Sequence, residues 1–237
     1  MKKKLCAAVL ALSLACPSFH AQNLVNETPE QKDKRMEWFH KAKLGIFIHW
    51  GVYAVKGVSE SWSFYNKYLP HDEYLKQCEG FTASKYDPKA WVELIKESGA
   101  QYTVLTTKHH DGVALWDTKQ NGISVVKNTP AKRDLVTPFV NEVRKAGLRL
   151  GLYYSLPDWS HPDYPNMTRT DVRYKDDPKR WDNFCKFNFG QLAELNNTYK
   201  PDLYWFDGDW EMSAETWRAK EIMQLLRSNN KNVIVNS

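Results

Sequence analysis

The sequence predicts an α/β fold built on a parallel sheet. Three observations carry that reading: short apolar runs, longer amphipathic stretches between them, and polar residues gathered where the apolar runs end. The runs are Leu44 to Ile48, Tyr102 to Thr106, Leu148 to Tyr154, Leu203 to Phe206 and Val233 to Val235, each reading as a buried strand. Between them, Pro88 to Ser98, Asp134 to Ala146, Pro178 to Tyr199 and Ala214 to Ser228 carry apolar residues at helical spacing. Asp87-Pro88 and Asp177-Pro178 are helix-start signals, and Gly99 and Gly147 stand where helices stop. A β-α-β-α succession of this kind requires right-handed crossovers and parallel strands.

A closed barrel and a doubly wound sheet both satisfy that succession, and the strand ends separate them. The first run leads into His49-Trp50-Gly51, the second into Lys108-His109-His110-Asp111-Gly112 and the third into Tyr154-Ser155. The fourth ends in Asp207-Gly208-Asp209-Trp210 and the fifth in Asn236-Ser237. A (β/α) barrel builds its site at the C-terminal mouth from many strand ends, whereas a doubly wound sheet concentrates its site at one switch point. No G-x-G-x-x-G turn follows any strand, which weakens a dinucleotide-binding reading. The prediction is a TIM-type (β/α)8 barrel. Five strands are legible and eight close such a barrel, so the expectation is one truncated after about the fifth strand.

Composition agrees with one large domain. With 42% hydrophobic, 14% aromatic and 26% charged residues in 237, the chain has the apolar surface for a core and is not disordered. The formal charge of +5 falls to +2 without Lys2, Lys3 and Lys4, which is no nucleic-acid signature. Those lysines precede an apolar run from Leu5 to Ala15 that is too short to span a bilayer. The pattern predicts a secretory signal peptide over 1–21, cleaved after Ala21, ahead of a partial barrel over 22–237. Lipid attachment at Cys16 is the alternative reading of the same leader. Either way the protein is expected to be exported, to the periplasm or beyond the cell, without a membrane span. Cys78 and Cys185 belong to the mature fold, and their wide spacing fits no metal motif.

His109-His110 is the most unusual local feature. Adjacent residues of an extended chain point to opposite sides, so the two histidines divide their roles unless the strand has already ended. With His49 they could hold a metal, or all three could bond hydroxyl groups. Tryptophans cluster near the same strand ends: Trp50, Trp62, Trp116, Trp159, Trp205 and Trp210. Sugars present apolar C–H faces and hydroxyls together, so indole walls combined with His, Asp and Tyr suit a carbohydrate. Trp205 and Asp207 are two apart on one strand and face the same way. Retaining glycoside hydrolysis uses a nucleophilic carboxylate and a second carboxylic acid about 5 Å away. Asp207 is the leading nucleophile, because it sits closest to a buried strand end, where a carboxylate is costly unless used. Asp111, Asp158 and Asp209 compete; Asp158 also reads as the cap of the turn after Pro157, and Asp209 as a solvated loop residue.

Four motifs in order resemble the α-L-fucosidases of glycoside hydrolase family 29: Phe47-Ile48-His49-Trp50-Gly51, Lys108-His109-His110-Asp111-Gly112, Gly151-Leu152-Tyr153-Tyr154-Ser155 and Trp205-Phe206-Asp207-Gly208. The resemblance runs from Lys34 to the last residue. It implies a (β/α) barrel, usually followed by a β-sandwich, that acts on terminal α-L-fucose of glycans with net retention and with no metal or other cofactor. Asp207 then matches the nucleophile, and His49, His109, His110, Trp205 and Tyr154 match fucose-binding positions. Trp62 matches an aromatic that closes the site, although the family's Glu-Trp-Tyr reads Ser61-Trp62-Ser63 here, which leaves the role of Glu60 open. Val113 replaces the usual Phe. The family's acid/base glutamate lies beyond the fifth strand, so it is expected beyond Ser237, and the chain as written is expected to be inactive. A non-catalytic fucose-binding protein and a metal-dependent barrel hydrolase are the competing functions.

Overall fold

The computed structural model describes residues 27–236, so the expected signal peptide, its cleavage point and the Cys16 anchor lie outside the described residues. Within them the apolar runs form one parallel sheet of five strands in sequential order. These are β1 (Gly45–Ile48), β2 (Tyr102–Lys108), β3 (Arg149–Ser155), β4 (Leu203–Asp207) and β5 (Ile234–Val235). Each strand pairs in parallel with the next one in the chain, the arrangement that successive β-α-β units give. The register sets Tyr153 beside Trp205 and Ser155 beside Asp207, which fixes what shares a face at the mouth.

Five principal helices accompany the strands: α1 (Pro29–Ala42), α2 (Pro88–Glu97), α3 (Val136–Lys145), α4 (Pro178–Tyr199) and α5 (Ala219–Asn229). Their starts follow local chemistry. The Asp87 and Asp177 side chains accept from the amides of Ala90 and Arg180 at 3.0 and 3.1 Å, and a proline opens each helix after its cap. At α3 the residue before the cap does this work: the Asp134 carboxyl accepts from the amides of Val136 and Thr137 at 2.8 and 2.9 Å. The start of α5 departs from the expected Ala214. Residues 213–217 form a turn in which Trp217 donates its indole N–H to the carbonyl of Asp209 at 2.8 Å, and Arg218 at φ 56° interrupts the helical path. Anchoring of Trp217 to the loop after β4 overrides the helical spacing of this segment.

The sheet separates two apolar environments. On one face Leu105, Leu152, Tyr204 and Phe206 pack with Val92, Phe139, Leu192 and Leu226 of the covering helices. On the other, Val104, Tyr153, Leu203 and Ile234 meet Met36, Trp38 and Phe39 of α1. Helix α1 thus lies against the beginnings of the strands and leaves their C-terminal ends open. Cys78 and Cys185 are both buried and unpaired, and burial pushes the Cys78 thiol up to about 12. No helix among the described residues is long and apolar enough to cross a membrane.

Candidate active site

The open ends of β1 to β4 bring His49, His109, His110 and Asp207 together. Strand β2 ends at Lys108, after an irregularity in its pairing with β3 between Thr106 and Lys108. Because the extended path has ended, His109 and His110 converge instead of pointing apart, with ring centroids 4.4 Å apart. His49 contributes a third imidazole 4.9 Å from His109. Beneath them, Phe47, Tyr153 and Trp205 form an aromatic floor, with the Phe47 ring 5.9 Å from Tyr153 and 5.5 Å from Trp205.

Asp207 occupies the centre of this cup. Its Oδ2 accepts the Tyr153 hydroxyl at 2.6 Å and its Oδ1 accepts the Gly208 amide at 2.8 Å. His110 Nε2 stands 3.7 Å from Oδ2, and the side chain keeps 23% exposure, the access that a reacting group needs. Burial pushes the pKa of all three histidines down, far below the ordinary range for His109 and to about 4 for His110, where the Asp207 charge opposes the shift. Near neutral pH the cup therefore offers neutral imidazoles, suited to hydrogen bonds with hydroxyls. Nitrogen and oxygen atoms of His109, His110 and Asp207 also lie within 4.8 Å of one another, so these are the described residues whose spacing fits a cation; His49 is not among them. Both Nδ1 atoms are engaged by serine hydroxyls, Ser61 for His109 and Ser155 for His110.

The competing aspartates have other tasks. Asp111 is 2% exposed and accepts from Tyr74 Oη at 2.5 Å and the Val113 amide at 2.9 Å; burial raises it to about 6. Asp158 accepts the amides of Ser160 and His161, the turn-capping alternative, and lies 3.8 Å from the Lys108 ammonium. Asp209 is exposed at the start of a short turn. Among the tryptophans, Trp50 is partly buried and stacks on Tyr86 against the edge of the core, and Trp116 is buried with its indole N–H on Glu194. Trp62 and Trp159 flank His110 at 5.6 and 4.5 Å, and Trp210 is 63% exposed at 6.5 Å. Glu60, at φ 29°, is half-buried, and its charge raises the His49 pKa against the larger effect of burial.

Tyr154 requires a correction. Strand alternation sends it to the helix-covered face, where it is fully buried and its hydroxyl bonds Asn188 and Gln191 of α4 and accepts from Lys108 Nζ at 3.0 Å. Its neighbour Tyr153 faces the cup and holds Asp207. Sequence reading missed Tyr153, Ser61 and Ser155. Only the parity of Tyr153 with Trp205 pointed to the first of these, and parity becomes readable once the β3–β4 register is known.

Lys108 supplies a pH-dependent test. It is fully buried, and burial lowers its pKa to about 8 against the attraction of Asp158 and Asp111. The unfolded chain keeps an ordinary lysine near ~10.4, so between the two values the unfolded state binds a proton that the native state sheds. This contribution to stability is present above the unfolded value and is lost as pH falls through about 8. From pH 8 to 10 it should raise stability by about 2 kcal/mol, a rise that Lys108→Met removes. Urea unfolding of both proteins at the two pH values checks this; equal rises would refute it.

Comparison with known proteins bears on what such a cup does. A sequence profile described as alpha-L-fucosidase matches residues 12–237, a span that contains every residue of the cup. The chain belongs to the α-L-fucosidase family. Within that family, tissue alpha-L-fucosidase of Bos taurus is 33% identical over 209 residues, covering 81% of this chain and 43% of the relative. Alpha-L-fucosidase isoenzyme 1 from Paenibacillus thiaminolyticus superposes with a TM-score of 0.80 at 37% identity, over 86% of this chain and 50% of that one. A GH29 α-L-fucosidase from Bacteroides thetaiotaomicron superposes with a TM-score of 0.78 at 35% identity, over 90% of this chain and 50% of that one. The chain thus spans about half the length of these three relatives.

Proposed function

We propose that this chain carries the nucleophile and sugar-binding part of an exported retaining α-L-fucosidase acting on terminal α-L-fucose of glycans. The observation that carries the reading is Asp207, partly exposed at the end of β4 and held by Tyr153 and Gly208 among three neutral imidazoles and an aromatic floor. In this reading Asp207 attacks the anomeric carbon as the glycosidic bond to the leaving oxygen breaks, and water later releases the fucosyl ester. His49, His109 and His110 bond sugar hydroxyls, Trp205 and Trp62 pack on apolar faces, and Tyr153 takes the place first given to Tyr154. The general acid that protonates the leaving oxygen is not assigned among the described residues.

Family membership supports the reading, as does the Bacteroides relative, a structure of a trapped covalent intermediate with 2-fluoro-fucosyl fluoride. The five strands in sequential parallel order are what the first part of a (β/α)8 barrel would form, and we read them so. Export rests on Lys2 to Lys4 and the apolar run after them. The test is covalent labelling with 2-fluoro-fucosyl fluoride followed by peptide mass analysis. The expected label is on Asp207; a label on Asp209, or reversible binding with no label, would replace the nucleophile assignment or favour a non-catalytic fucose-binding protein.

A further inference from the structure

The hydroxyl of Ser155 has one hydrogen and two close neighbours. Its Oγ lies 2.5 Å from the carbonyl oxygen of Pro157 and 2.5 Å from Nδ1 of His110. A carbonyl oxygen only accepts, so the serine hydrogen belongs there; without it, two sets of oxygen lone pairs would face each other at that distance. Toward His110 the serine oxygen is left as an acceptor, and Nδ1 must carry the ring proton. A neutral imidazole has one such proton, so Nε2 is a bare lone pair. Burial, which holds the His110 pKa near 4, keeps the ring in that neutral form.

The surroundings fix this arrangement. Leu156 donates its amide to the carbonyl of Asp207 at 3.0 Å, and Trp159 donates to the carbonyl of His110 at 2.8 Å, so the turn holding Pro157 is fastened to both neighbouring strand ends. Gly208 adopts φ 78°, and a Cβ there would stand 2.3 Å from Pro157 Cγ; the proline is seated directly against the residue after Asp207. His110 Nε2 is itself a buried atom with no hydrogen-bond partner, 3.7 Å from Asp207 Oδ2. An unsatisfied buried acceptor beside a carboxyl oxygen calls for a ligand that brings a hydrogen.

We propose that Ser155 is a positioning residue that fixes His110 as the Nδ1–H tautomer, so that Nε2 accepts a hydrogen bond from a sugar hydroxyl bound next to Asp207. The identity of that ligand rests on the fucosidase reading; the tautomer does not. Without the serine oxygen, the ring proton is free to move to Nε2, where it would bond the Asp207 carboxyl and compete with the incoming hydroxyl.

Long-range proton–nitrogen correlation spectra of ligand-free, histidine-labelled protein read the tautomer directly, with His110 assigned through its loss in His110→Gln. The expected result is a protonated Nδ1 and a bare Nε2, and a proton on Nε2 overturns the proposal whether or not the protein hydrolyses fucosides. Affinities for L-fucose and its monofluorinated analogues read the ligand side, because fluorine cannot donate a hydrogen. At one ring position fluorination should weaken binding about tenfold, the scale of one hydrogen bond. Ser155→Ala should erase that difference and Ser155→Thr should keep it. A penalty that persists in Ser155→Ala shows that the serine does not set the acceptor. If L-fucose does not bind at all, the fucosidase reading fails while the tautomer measurement still stands.

Discussion

In a form of the protein that also supplies the general acid, replacing Asp207 with glycine should lower hydrolysis of an aryl α-L-fucoside on the order of ten-thousandfold, the scale on which one essential member of a catalytic set fails. The variant should fold. The side chain keeps 23% exposure and lies at a strand end, so its loss opens little of the core. Azide added to the variant should restore part of the turnover by occupying the space the carboxyl group vacates and attacking the anomeric carbon in its place. The product would be a fucosyl azide of inverted configuration. Undiminished hydrolysis by Asp207→Gly would remove the nucleophile assignment, and the same measurement on Asp209→Gly would show whether the neighbouring carboxyl group does the work instead.

The largest stability effect is expected at Trp159. Its side chain is fully buried, stacked on Tyr65 with ring centroids 3.9 Å apart and set against Trp62 at 5.1 Å and Phe64 at 6.0 Å. Truncation to alanine removes most of that contact and leaves a cavity, a loss of about 3–5 kcal/mol for an aromatic of this size. A second cost follows because Glu211 loses the indole N–H that now reaches its Oε1 at 2.8 Å. Trp159→Phe separates the two contributions, since it keeps most of the apolar volume and removes the donor. Urea unfolding of the three proteins measures both. A loss below about 1 kcal/mol in Trp159→Ala would mean that the packing around His110 is looser than these contacts imply.

Much of the fold and of the site is legible in the sequence. The four strand-end motifs and the succession of periodic segments define the sheet order and the mouth, because apolar runs and cap residues report local structure directly. The α4 limits agree with the sequence pattern at both ends, where Asp177-Pro178 starts the helix, whereas α5 does not, because the anchoring of Trp217 to Asp209 is a tertiary contact with no local signature. Tyr154 and Tyr153 could not be told apart from sequence. Both are apolar-bodied residues of a strand buried on both faces, and only register with β4 decides which one meets Asp207. The paired histidines show the opposite dependence: alternation predicts that they separate, and the end of β2 at Lys108 lets them meet.

The carboxyl group of Glu211 gathers three donors from one loop: Trp159 Nε1 at 2.8 Å, the Tyr164 hydroxyl at 2.6 Å and Asn166 Nδ2 at 2.8 Å. Because Glu211 follows β4 and its donors follow β3, one side chain couples the segments on either side of His110. Displacement of one segment is then transmitted to the other, so the rim responds as a single mechanical unit. Substitutions at Trp159, Tyr164 and Glu211 should therefore be non-additive, the first to break the junction removing most of what the others could remove. The shape of the wall beside Asp207 is in that sense a collective property, and no single rim residue can be retuned without shifting its neighbours.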